Sequence, residues 1–154
     1  MTTVKVSIRE IRKEHVSACA EITPQIEPWV TLGASREEME RYFRSLLNSG
    51  EAFVALLGRE VVGFVTIKTD FLRGGYIRRL AVKKEHRGQG IGKRIMTFVE
   101  DYIHASYPNV FLCVSSSNLR AQSFYESLGY QMVGELPDLI IKGESEHLMR
   151  KVLG

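Results

Sequence analysis

Val4, Val6 and Ile8 alternate with polar neighbours, a period of two that predicts a strand near the start of the chain. Within residues 12–22, Val16, Cys19, Ala20 and Ile22 recur at loose helical spacing. The next stretch, Thr23 to Trp29, cannot be regular helix, because Pro24 and Pro28 punctuate it. Ser35-Arg36-Glu37-Glu38 reads as a capping box: Ser35 can accept from a free helix amide while Glu38 reaches back. Met39, Tyr42, Phe43, Leu46 and Leu47 then form one helical stripe, and Asn48-Ser49-Gly50 ends it.

The pattern changes after that. Residues 51–57 and 61–69 are apolar and β-branched, joined by Gly58-Arg59-Glu60, and read as a hairpin. Tyr76 to Val82 follows as a further strand, after an expected turn at Arg73-Gly74-Gly75. Ile91, Ile95, Phe98, Val99, Tyr102 and Ile103 give a strongly amphipathic helix that stops at Pro108-Asn109. Val110 to Val114 reads as a buried strand, and Asn118 can cap a short helix running through Leu128, with Gly129 at its C′ position. Tyr130 to Leu136 and His147 to Leu153 complete the set as two closing strands. The expected order is β-α-α-β-β-β-α-β-α-β-β, a mixed α/β sheet. No repeat, low-complexity tract or linker interrupts it, which predicts one domain over 1–154.

Composition narrows the possible functions. The 154 residues are 44% hydrophobic and 25% charged, which is ordinary globular usage and disfavours disorder, collagen or coiled coil. A formal charge of +3 is too mild to argue for nucleic acid, and none is expected as a partner. No apolar run approaches about 18 residues, so no membrane span is expected. Cys19 and Cys113 are too far apart for a disulfide framework, and the N-terminus lacks a signal-peptide pattern; both point to a reduced, cytoplasmic setting. His15, His86, His104 and His147 are scattered without ligand spacing, so no metal is expected. Cys113 lies in the apolar run Phe111-Leu112-Cys113-Val114, where a small buried side chain fits better than a nucleophile.

The most informative segment is Arg87-Gly88-Gln89-Gly90-Ile91-Gly92-Lys93, placed between a strand and a helix. Glycines there let backbone amides turn toward a phosphate, and the helix start adds positive potential. The P-loop pattern fails: its first glycine position is Arg87, and Arg94 stands where Ser or Thr is needed. G-x-G-x-x-G fails as well, since its last position falls on Lys93 or Ile95.

What fits is R/Q-x-x-G-x-G/A, here Arg87-x-x-Gly90-x-Gly92, preceded by Leu80-Ala81-Val82. Downstream, Asn118, Ala121, Phe124, Tyr125, Gly129 and Tyr130 match N-x-x-A-x-x-[FL]-Y-x-x-x-G-[FY]. With these motifs the chain resembles the GNAT superfamily of acyl-CoA-dependent N-acyltransferases. The resemblance covers residues 4–152 in element order, with its specific motifs between 76 and 130.

That resemblance implies a splayed central strand pair with acetyl-CoA as co-substrate between its strands. The backbone of Leu80, Ala81 and Val82 would bond the pantetheine arm. Amides from Arg87, Gly88, Gln89, Gly90, Ile91, Gly92 and Lys93 would hold the pyrophosphate, and Asn118 would bond the pantetheine. Tyr125, near the sulfur, would be the general acid for the leaving thiolate; its alternative is a core aromatic beside Phe124.

One feature of the family is missing. Several members carry a Glu base on the strand before the loop, whereas this chain reads Tyr76-Ile77-Arg78-Arg79-Leu80, and arginine cannot act as a base. Glu27 is a candidate base, with Asp138 and Glu144 as others, although each reads first as an ordinary solvated carboxylate. Trp29 and Tyr76 could wall an acceptor pocket or fill the core, and Arg78 could seek negative charge there or pair structurally. The expected activity is acetyl transfer to a primary amine by direct attack in a ternary complex. The acceptor stays open among a protein N-terminus, lysine, a polyamine and a small metabolite. The alternative is a non-catalytic acyl-CoA-binding module. A monomer or homodimer suffices for either.

Overall fold

A computed structural model describes residues 5–23 and 32–154. The strands are β1 (Val6–Glu10), β2 (Ala52–Leu57), β3 (Glu60–Phe71), β4 (Gly74–Val82), β5 (Asn109–Ser115), β6 (Gln131–Pro137) and β7 (Ser145–Val152). The helices are α1 (Val16–Ile22), α2 (Arg36–Ser45), α3 (Ile91–His104) and α4 (Leu119–Ser127), with 3₁₀ turns at Lys13–His15 and Lys84–His86. This is the expected mixed α/β order. The seven strands are hydrogen-bonded as β1-β2-β3-β4-β5-β7-β6. Two compact units divide the chain: Met1–Ile67 with Arg79–Phe98, and Lys68–Arg78 with Val99–Gly154.

In the first unit, β1 and β2 pair antiparallel from Val6↔Leu57 to Glu10↔Phe53, and β2 pairs with β3 across a bulge at Ala55/Leu56. The amphipathic faces of α1 and α2 bury Val16, Cys19, Met39 and Phe43 against Val54 and Phe64. Phe43 meets the Phe64 ring edge-on at 4.9 Å. Full burial of such a ring contributes about 1.5–3 kcal/mol. Ser35 begins α2 as the capping pattern requires, its Oγ accepting from the Glu38 amide at 3.2 Å. Tyr42 hydrogen-bonds Thr66 at 2.8 Å and carries the Arg79 guanidinium over its ring at 3.8 Å. Arg79 is therefore a packing cation of this unit.

In the second unit, β5 is flanked on both sides. It pairs parallel with β4 over Gly74–Ile77 and Asn109–Leu112, and antiparallel with β7 from Asn109↔Val152 to Ser115↔Glu146. Pairing with β4 stops there, although β4 runs on to Val82 and β5 to Ser115. A half-buried polar knot ties the sheet to the C-terminal half of α3: Glu100 accepts from the Tyr130 hydroxyl at 2.7 Å and from Lys151 at 2.9 Å.

The β3–β4 turn differs from the sequence expectation. It lies at Leu72–Arg73, whose φ values of 47° and 57° are left-handed, and Gly74 and Gly75 belong to β4. Close packing explains why glycines stand in the strand. A Cβ on Gly75 would collide with Ile103 Cδ1, and one on Gly74 with the Asn109 carbonyl oxygen. β7 likewise starts at Ser145, ahead of the expected His147.

Gly75→Ala should destabilise the protein by about 1–3 kcal/mol, the usual cost of overpacking, as read from chemical unfolding. Gly134→Ala is the control, because a Cβ there meets nothing within 4 Å. Equal stability of the two variants would contradict the close-packing account.

Candidate functional site

The first unit supplies an anion-binding loop. After Val82 the chain makes the 3₁₀ turn, then extends through Arg87 and enters two left-handed glycines, Gly88 at φ 78° and Gly90 at φ 79°. A Cβ at either would meet open space, so backbone conformation alone asks for glycine there. The Arg94 amide donates to the Gly90 carbonyl at 3.1 Å, which starts α3. The amides of Ile91, Gly92 and Lys93 then have no partner within the helix. Ile91 is buried and anchors the turn, whereas Arg87, Gly88, Gln89, Gly90 and Lys93 are exposed. Arg87 Nε donates to the Val82 carbonyl at 3.2 Å and fastens the loop to the end of β4. Of the strand residues Leu80, Ala81 and Val82, only Ala81 is fully buried. Glu60 steadies the 3₁₀ turn through His86 at 3.1 Å. Free amides, a helix start and flanking cations together suit a phosphate.

Asn118 and Tyr125 belong to the second unit. Asn118 caps α4, its Oδ1 accepting from the Ala121 amide at 3.0 Å, and it remains exposed. Gln122 Nε2 donates to the carbonyls of Ser115 and Ser116 at 2.9 and 3.0 Å, which fixes α4 against the end of β5. Tyr125 packs edge-on against Phe124 at 5.1 Å and Tyr130 at 5.9 Å. Its ring keeps some exposure, but burial of the hydroxyl raises its pKa well above the ordinary phenol value. The phenol thus holds its proton through neutral pH, as an acid must.

Strands β4, β5 and β7 bring a third group together. The Tyr76 hydroxyl and the Cys113 thiol hydrogen-bond each other, and the Tyr76 ring packs on Phe71 at 5.1 Å. Burial, the Cys113 bond and Glu146 raise the Tyr76 pKa, with Arg78 opposing. Burial also raises the Cys113 thiol, against the lowering effect of Tyr76, so it is not poised as a thiolate. Arg78 is exposed and Glu146 is buried. Sequence reasoning missed Glu146, because it began the last strand at His147, two residues after the observed start at Ser145.

The remaining candidates separate from these groups. Glu27 and Trp29 lie outside the described residues. Asp138 Oδ1 accepts from the Gly143 amide at 2.7 Å and closes the β6–β7 loop, while Glu144 is exposed. Among the described residues no group of three or more His, Cys, Asp or Glu could hold a metal ion. No helix among them is long and apolar enough to cross a membrane.

Comparison with known proteins gives consistent matches. A model of the acetyltransferase (GNAT) family matches residues 13–130. An uncharacterised N-acetyltransferase of Methanocaldococcus jannaschii is 38% identical over 101 residues, covering 64% of each chain. N-alpha-acetyltransferase 30 of Schizosaccharomyces pombe is 38% identical over 84 residues, 51% of this chain and 56% of that protein. The chain thus spans somewhat under two-thirds of the curated relatives it matches. Among solved structures, Ard1 from Thermoplasma volcanium superposes with a TM-score of 0.82 at 18% identity, covering 97% of this chain and 98% of that one. NAA60 of Arabidopsis thaliana, solved with a bisubstrate analogue, gives 0.81 at 20% identity, covering 97% and 99%. At such identities these structures establish the fold.

Tyr76, Tyr125 and Tyr130 should ionise only well above the free-phenol value of about 10. Raised values mean that the folded state holds these protons more tightly than the unfolded chain. The linked stability is present below about pH 10 and is lost as pH rises further. Ultraviolet titration of wild type and single Tyr→Phe variants checks this; three normal phenols titrating near pH 10 in the folded protein would contradict it.

Proposed function

The chain belongs to the acetyltransferase (GNAT) family, and from that premise we propose that it transfers an acetyl group from acetyl-CoA to a primary amine, the α-amino group of a polypeptide being the acceptor class. The observation that carries the reading is the loop from Arg87 to Lys93, with two left-handed glycines running into the free amides of α3. Acetyl-CoA brings a pyrophosphate that such a loop can hold, and a thioester that an amine can attack. Leu80, Ala81 and Val82 would bond the pantetheine through their backbone, as an added strand does. Asn118 would bond it from α4, and Tyr125 would protonate the departing thiolate.

The acceptor follows from proton chemistry. The strand before the loop carries Arg78 and Arg79, neither of which can take a proton. An α-amine, with a pKa of about 8, is roughly a quarter neutral at pH 7.5, whereas a lysine amine near 10.4 is neutral in about one molecule per thousand. A chain without a strong base on that strand favours the α-amine. N-alpha-acetyltransferase 30 among the similar proteins supports the same choice.

With acetyl-CoA, peptides bearing a free N-terminus should be acetylated about 200-fold faster than N-blocked lysine peptides, a ratio set by the neutral fractions above. Thiol release and mass spectrometry read the outcome. Preference for lysine would overturn the acceptor class. Binding of CoA without turnover on any amine would leave a non-catalytic acyl-CoA-binding module.

Tyr125→Phe keeps the ring packing and removes the hydroxyl. Because a CoA thiolate is a fair leaving group, kcat should fall about 10–10³-fold, at the lower end of general-acid effects. CoA affinity should hold in calorimetry, and unchanged kcat would return Tyr125 to the core.

A further inference from the structure

Strand register in the second unit gathers a polar cluster on one face. Tyr76 stands opposite Phe111 across β4 and β5, and Ser115 opposite Glu146 across β5 and β7. Paired residues share a face and alternate residues return to it. Tyr76, Arg78, Cys113, Ser115 and Glu146 therefore lie on the same side of these strands. The other side presents Ile77, Leu112, Val114 and Met149, all buried. One face is thus packed core, and the other is half-covered and chemically equipped.

Glu146 is the group that packing does not explain. Only 8% of it is exposed. Among the described residues no side chain hydrogen-bonds or ion-pairs with its carboxylate. No buried side-chain oxygen among the described residues lacks a hydrogen-bond partner, so the carboxylate oxygens of this covered residue still meet solvent, and carboxyls so placed concentrate where proton transfer or binding needs them. Tyr76 and Arg78 of β4 and Cys113 of β5 face it, with Glu144 and His147 along its own chain. Burial and Glu144 raise its proton affinity, with His147 opposing. That direction brings the carboxyl closer to the α-amine whose proton must be removed.

We propose that Glu146 is the catalytic base that takes the proton of the attacking α-amine, an inference that rests on the acetyl-transfer reading above. The α-ammonium gives one proton to the Glu146 carboxylate, which later releases it to solvent. The freed nitrogen lone pair forms a bond to the thioester carbonyl carbon. As the adduct collapses, the carbon–sulfur bond breaks and its electron pair leaves with sulfur. Tyr125 protonates that sulfur and recovers the second nitrogen proton through solvent. The products are the amide, CoA thiol and one released proton. The base thus sits on β7, which explains how the chain manages with arginines on β4.

The test is steady-state kinetics of wild type, Glu146→Gln and Glu146→Asp on a free N-terminal peptide across pH, alongside thermal unfolding. Glu146→Gln should lower kcat/KM about 100-fold at neutral pH, within the usual range for a lost general base. Its rising pH limb should move up to the amine's own value of about 8, and Glu146→Asp should restore part of the rate. Because Glu146→Gln keeps the size and shape of the side chain, its unfolding temperature should stay close to that of wild type. Wild-type rates and pH profile in a folded Glu146→Gln overturn the base assignment alone. An equal loss in Gln and Asp variants with lowered unfolding temperature overturns it in favour of a structural role. A wild type that binds acetyl-CoA but acetylates no amine overturns the acetyl-transfer reading and the base assignment with it.

Discussion

The first turn of an α-helix leaves backbone amides without partners, and this protein places that turn of α3 directly after an exposed glycine loop. Gly88 and Gly90 take left-handed conformations that most side chains resist, and neither position is filled by a neighbour. Ile91, Ile95 and Met96 are buried, so the helix cannot shift its start without exposing its apolar stripe. Arg87 fastens the approach to the Val82 carbonyl. The cradle is therefore held by core packing behind it, while its amides stay available to an anion. The family's acyl-CoA chemistry depends on such a grip, because a thioester is useful only when its carrier is held.

The second unit solves a different problem. Its strands bury one face and leave a group of polar, titratable side chains on the other. The Glu100–Tyr130–Lys151 knot and the contact of Ile103 with Gly75 close the packed side. On the other side, Tyr76 and Cys113 are half-buried and Glu146 is buried, and burial raises the proton affinity of all three.

Much of the fold was legible in the sequence, because it is written in short-range patterns. The capping signals at Ser35 and Asn118 hold in the structure, with side-chain bonds at 3.2 and 3.0 Å. The stripe of α3 and the glycine loop were readable for the same reason: helix starts and left-handed glycines are local events. The β3–β4 turn was misplaced because glycine usually marks a turn, whereas Gly74 and Gly75 answer to Asn109 and Ile103, distant in sequence. Glu146 was missed because its place beside Tyr76 and Cys113 comes from the register of three strands, which no local pattern states. Glu27 and Trp29 lie outside the described residues, and the corresponding expectations stay at the level of the sequence.

Backbone amide NMR during a titration with CoA tests the central claim most directly. Hydrogen bonds from the loop to the pyrophosphate should give the largest shifts at Gly88, Gln89, Gly90, Ile91, Gly92 and Lys93. Saturable CoA binding that leaves those amides unmoved, or no binding at all, would contradict the account.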